Sequence, residues 1–98
     1  MTTENYEGIQ QLAMQDVEVL MKKGQSYGSS WRKRGGVGAF MMLARKWDRI
    51  EQQCSEAGYD IFKIIEDGKE IPDGLLDDIR DLRRYLLLVD AWMTKPRP

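Results

Sequence analysis

The chain has 98 residues, 42 % of them hydrophobic and 32 % charged, with a net charge of −1. That is the composition of one small globular domain, which at this size buries only about 60 to 65 % of its unfolded surface and gains from self-association. With one cysteine, Cys54, and no histidine, an internal disulfide, a Cys/His zinc site and a His-based catalytic triad are all excluded, so any metal must be a hard cation on carboxylates.

The polar opening MTTENYEGIQQ does not read as a signal peptide, and the longest apolar run, Tyr85 to Val89, is too short to span a bilayer. A cytoplasmic protein without a membrane partner is expected. Charge is unevenly spread. Lys22, Lys23, Arg32, Lys33, Arg34, Arg45, Lys46 and Arg49 crowd the first half, whereas Glu56 to Asp81 is mostly acidic. This suits a phosphorylated ligand beside a cation, or else patches that folding interleaves. A domain that is not basic as a whole is a poor partner for long nucleic acid.

In chain order, Tyr6, Ile9, Ala13, Val17 and Leu20 recur at spacings of three and four, predicting a helix from about Glu4 to Lys23 that stops at Gly24. A long loop, GQSYGSSWRKRGGVGAF, follows. A second helix is predicted from about Val37 to Ala57, with Phe40, Leu43, Ala44, Trp47, Ile50 and Cys54 on one face and Gly58 as its stop. A short helix over about Asp60 to Glu66 leads into the DGKEIPDG turn, and a last helix from about Gly74 to Met93 packs through Leu75, Ile79, Leu82, Leu86, Val89 and Met93. The tail, 94–98, is expected to fray. The pattern predicts an all-α fold spanning 1–98 as one domain, a small bundle of three long helices and one short one, as a homo-oligomer.

Two features carry chemistry. In the loop, Gly35-Gly36-Val37-Gly38 enters a helix whose first amides are unpaired, with Arg32, Lys33 and Arg34 just upstream. Tyr27 and Trp31 can stack on a base, and Ser26, Ser29 and Ser30 can bond sugar or phosphate oxygens. The candidate ligand set is Lys23, Tyr27, Ser29, Trp31, Arg32, Lys33, Arg34, Gly36, Gly38 and Arg45. Trp31 serves equally well as a core plug, and Trp47 and Trp92 read as packing residues. No Gly-Lys-Ser/Thr ending is present, so this is not a triphosphatase phosphate loop.

The second feature is acids placed on apolar faces. Projected at about 100° per residue, Glu51 lies about 40° from Trp47, Asp78 about 40° from Leu82, and Asp16 falls between Ile9 and Leu12. A desolvated carboxylate needs a partner. Either Asp48/Glu51 and Asp78/Asp81 converge on Mg2+ or Mn2+, with Glu51 and Asp81 as catalytic acids, or Arg45, Arg49, Arg80, Arg83 or Arg84 neutralises them. In the first case the basic loop and the acids face a common cavity.

Lys22-Lys23-Gly24-Gln25-Ser26-Tyr27-Gly28-Ser29-Ser30-Trp31, then Arg45-Lys46-Trp47-Asp48-Arg49-Ile50-Glu51, then Asp77-Asp78-Ile79-Arg80-Asp81-Leu82-Arg83-Arg84-Tyr85-Leu86 resemble the phage and bacterial nucleotide modification associated domain. That family is in turn similar to the all-α MazG-like nucleotide pyrophosphohydrolases. The resemblance spans roughly Met21 to Leu88 and implies an infected or lysogenic bacterial host and a nucleotide or cyclic nucleotide ligand. It implies a role in DNA-precursor metabolism or in sequestering a host defence messenger. Asp48-x-x-Glu51 and Asp78-x-x-Asp81 match the family's magnesium positions, but Trp47 stands where a doubled glutamate is expected. Binding is therefore expected ahead of Mg-dependent pyrophosphohydrolysis, with an adaptor that inhibits a host enzyme as the third alternative.

Overall fold

A computed structural model describes residues 4–66 and 71–96, so the first half of the DGKEIPDG turn and the end of the tail lie outside the described residues. The protein is all-helical, 82 % helix, with no strand among the described residues. The helices are α1 (Tyr6–Tyr27), α2 (Gly35–Ser55), α3 (Ile61–Ile65) and α4 (Asp73–Met93), with a 3-10 turn over Ser30–Arg32. None of them is long and apolar enough to cross a membrane. The 1–98 span contains two compact units, Met1–Ser30 and Trp31–Pro98.

The first unit is essentially α1. Asn5 caps it, its side chain accepting from the Gly8 amide at 2.9 Å. The predicted stop at Gly24 is wrong by a turn: the helix runs on to Tyr27 and ends at Gly28 (φ 60°), whose amide donates to the Gly24 carbonyl. A mid-helix glycine costs only about 1 kcal/mol, whereas the left-handed exit that a glycine provides is needed four residues later. The long loop expected between the first two helices therefore shrinks to Gly28–Arg34. Asp16 is buried, as its position between Ile9 and Leu12 indicates, but Tyr6, Ile9 and Val17 of the expected apolar face are exposed.

In the second unit α2 and α4 pair antiparallel. Gln53 lies against Gly74, Arg49 against Asp78 and Lys46 against Asp81, so each step along α4 retreats along α2 by a similar number of residues. At the end of the pair where α2 finishes and α4 begins, Ile50, Cys54 and Leu75 form a small core covered by Ile64 of α3 and by Ile79 and Leu82. Asp60 caps α3 by accepting from the Lys63 amide, and Pro72 precedes the first residue of α4, where its missing N–H costs nothing.

After α2 the chain reverses through two consecutive left-handed residues, Gly58 (φ 64°) and Tyr59 (φ 66°), the Tyr59 amide returning to the Cys54 carbonyl at 2.9 Å. Glycine takes that conformation freely; tyrosine does not. Tyr59 is 68 % exposed, so its ring offsets little of the strain. Tyr59→Gly is expected to stabilise the protein by about 0.5 to 1 kcal/mol, the relief of strain less glycine's extra unfolded-state entropy. Urea titration checks this, and a lowered midpoint would mean that the ring contributes more than the backbone loses.

Candidate ligand cleft

At the opposite end of the α2/α4 pair lies a cleft of about 460 Å³. One wall is the first turns of α2, Gly35, Gly36, Ala39, Phe40 and Leu43; the other is the last turn of α4, Val89, Trp92 and Met93; Trp31 and Arg32 close the end. The sequence positions them directly. Gly35 (φ 74°) turns the chain into α2, and with no β-carbon at Gly35 or Gly36 the helix backbone itself lines the wall. Arg34, the residue preceding α2, makes no side-chain cap, so the first amides of α2 keep their partial positive charge.

Trp31 and Trp92 meet edge to face, with ring centroids 6.5 Å apart. Arg32 lies over Trp92 with its guanidinium carbon 3.8 Å from the ring centroid, and 5.8 Å from that of Trp31. Lys95 approaches Trp92 at 5.1 Å. A cation on an indole face is held without using its N–H donors, which point along the guanidinium plane. Among the described residues Arg32 has no carboxylate partner.

Of the predicted ligand residues, Trp31, Arg32 and Gly36 line this cleft. Lys33 and Arg34 are exposed in the turn that leads into α2. Gly38 does not line the cleft, and it lies close to Arg34: a β-carbon there would stand 2.6 Å from the Arg34 β-carbon. Arg45 lies further along α2, beside a shallow notch with Asp48, Arg49, Gln52 and Gln53. Lys23, Tyr27 and Ser29 belong to the first unit, Tyr27 being 70 % exposed. Trp92, which reads from sequence as packing, is a wall of the cleft, and so is Phe40, whose spacing assigns it to the core face.

The acids do not share this space. Among the described residues no carboxylate lines the cleft, so Trp31, Arg32 and Gly36 do not share it with Asp48, Glu51, Asp78 or Asp81. Asp78, 2 % exposed, is enclosed by α2: Gln53 Nε2 donates to it at 2.9 Å, Arg49 Nε lies 3.1 and 3.2 Å from its two oxygens, and Lys46 Nζ is 3.6 Å away. Burial alone would raise its pKa, but the hydrogen bonds from Arg49 and Gln53, with the charges of Arg49 and Lys46, outweigh burial and hold it below the ordinary 3.8. Lys46 also reaches Asp81 at 3.0 Å, where Arg84 approaches at 4.0 Å.

Asp48 and Glu51 fall elsewhere. On the α2 wheel they lie about 140° to 160° from Lys46, lining a small notch with Gln52, Ser55 and Tyr59, and Glu51 accepts from Trp47 Nε1 at 3.2 Å. Among the described residues no three acidic or cysteine side chains are grouped to hold a metal ion. The four acids expected to converge are thus divided between an inward pair matched to cations and an outward pair facing solvent. Asp81, a candidate catalytic acid, is committed to Lys46 and Arg84. No family model, curated protein or solved structure matches the chain.

Proposed function

We propose that this protein binds a small phosphate-bearing nucleotide in the cleft between the start of α2 and the end of α4. The observation that carries this is Arg32, its guanidinium carbon 3.8 Å from the Trp92 ring centroid and without a carboxylate partner among the described residues, beside an uncapped helix start lined by Gly35 and Gly36. An apolar, aromatic-walled cleft takes a base by stacking and dispersion. The guanidinium edge and the exposed amides take an anion at its margin. A ligand that is flat at one end and anionic at the other satisfies both, and a mono- or cyclic nucleotide is such a ligand.

Binding is favoured over hydrolysis because two of the acids that a magnesium-dependent hydrolase would need for its metal, Asp78 and Asp81, are engaged by Arg49 and Lys46. The protein then acts by holding a nucleotide, in DNA-precursor metabolism or in sequestering a defence messenger.

Calorimetry against mono-, tri- and cyclic nucleotides, with the matching nucleosides as phosphate-free controls, tests this. Arg32→Ala is expected to weaken binding of the phosphorylated ligand about 10- to 100-fold, the worth of a charge-assisted contact, and to leave weak nucleoside binding unchanged. Trp92→Ala weakens both. No heat from any nucleotide, or an Arg32→Ala protein that binds as well as the parent, overturns the proposal.

A further inference from the structure

We infer that Lys95 is the second cation of the cleft and makes it select nucleotides that end in a phosphate monoester over cyclic nucleotides, an inference that rests on the nucleotide reading and deepens it. Lys95 Nζ lies 5.1 Å from the Trp92 ring centroid, and the Arg32 guanidinium carbon lies 3.8 Å from the same centroid. Two cations thus share one indole at the wall of the cleft, beside the partial positive charge of the first amides of α2. Among the described residues neither Arg32 nor Lys95 has a carboxylate partner, and no carboxylate lines the cleft.

The end of α4 positions Lys95. The helix stops at Thr94 (φ −96°, ψ 0°), whose amide and hydroxyl both donate to the Asp90 carbonyl, at 3.0 and 2.8 Å. Pro96 follows Lys95, and a residue before proline is restricted to extended backbone, so little freedom is left in the chain that carries the ammonium to Trp92. The two charges can be no further apart than their distances to the ring laid end to end, which is about one screening length at physiological salt. They repel each other, and an anion between them removes the repulsion. A cyclic nucleotide offers a single negative charge, which Arg32 alone satisfies. A terminal phosphate monoester carries about −1.5 to −2 at pH 7 on three strong acceptor oxygens, enough for the guanidinium edge and the ammonium together.

Calorimetry of the full chain with each common nucleoside as its 5′-monophosphate, its 5′-monophosphate methyl ester and its 3′,5′-cyclic monophosphate tests this, the methyl ester separating charge from ring closure. The nucleoside that binds most tightly is expected to bind about tenfold better as the 5′-monophosphate than in either singly charged form, the worth of one further charge-assisted contact at an exposed site. Lys95→Met, which keeps the alkyl stem beside Trp92, is expected to bring the three forms within about threefold of one another and to leave the affinity for the cyclic form unchanged, whereas Lys95→Arg retains the preference. Lys95 is exposed, so both variants are expected to fold, and thermal melts check that they do. If Lys95 only offsets the partial negative charge at the end of α4, the preference survives Lys95→Met and the melting temperature alone falls. That result, or equal binding of the three forms by the parent, overturns the inference and leaves the nucleotide reading to Arg32→Ala. Binding of none of the forms overturns both.

Discussion

Asp78→Ala is expected to destabilise the protein by about 3 kcal/mol. The carboxylate is 2 % exposed and accepts from Gln53 and Arg49 with Lys46 alongside, so its removal leaves polar groups without their acceptor inside the α2/α4 contact. Breaking a buried ion pair from one side costs roughly 3 to 5 kcal/mol. The lower end applies because the Arg49 side chain is 56 % exposed and can turn to water, whereas Lys46, 21 % exposed, still has Asp81. Asp78→Asn keeps the shape and an acceptor for Gln53, and is expected to cost about half as much.

Acid gives an independent check. Since the folded carboxyl titrates below its ordinary 3.8, its contribution is fully present above that value and is lost as the pH falls through the lower folded value. The gap in urea midpoint between parent and Asp78→Ala should therefore be constant from pH 7 to about 5 and narrow, without closing, below about 4. A gap of the same size at pH 2.5 would mean that the charge is not what the alanine removes. Replacing Asp78 and Arg49 together by leucine and methionine should recover part of the loss, since the ion pair is then removed from both sides and Lys46 keeps Asp81.

What is legible in the sequence is local. The spacings of Ile50, Cys54, Leu75 and Leu82 place α2 and α4 to within about two residues, because one-sided apolar periodicity is a property of each helix alone. The same logic singles out Asp16 and Asp78 as acids on inward faces, and both are buried. Their partners are another matter. Arg49 is among the cations that the sequence offers to Asp78, but Lys46 and Gln53 are not, because which residue of α2 meets which residue of α4 depends on the register between helices. Glu51 fails for a related reason: closeness to Trp47 marks an inward face only if Trp47 is inward, and Trp47 is 53 % exposed. Periodicity shows that a face is apolar, not that anything covers it. That is also why Trp92 reads as packing when it walls a cleft, and why the exposed apolar face of α1 reads as core.

Leu75→Ala is expected to cost about 2 to 4 kcal/mol, a large share of the roughly 5 to 15 kcal/mol that a chain of this length holds in all. Leu75 is 2 % exposed and clusters with Ile50 and Cys54, with Ile64, Ile79 and Leu82 packed against the cluster. Truncation removes its transfer free energy and leaves a void that three helices must shift to fill. Leu86, on the same helix but 49 % exposed, is the control: Leu86→Ala should cost under about 1 kcal/mol. Both are read as urea midpoints with an unchanged slope. The cleft ties this core to function, because Trp92 faces Gly35 and Gly36 only while α2 and α4 stay paired, and the buried apolar part of that pairing lies at the far end from the cleft. Leu75→Ala should therefore weaken nucleotide binding only near its lowered unfolding midpoint and leave affinity unchanged in the absence of urea. A Leu75→Ala protein that is as stable as Leu86→Ala would place the core elsewhere, and one that is folded yet binds tenfold more weakly would mean that the cleft depends on strain transmitted along the pair.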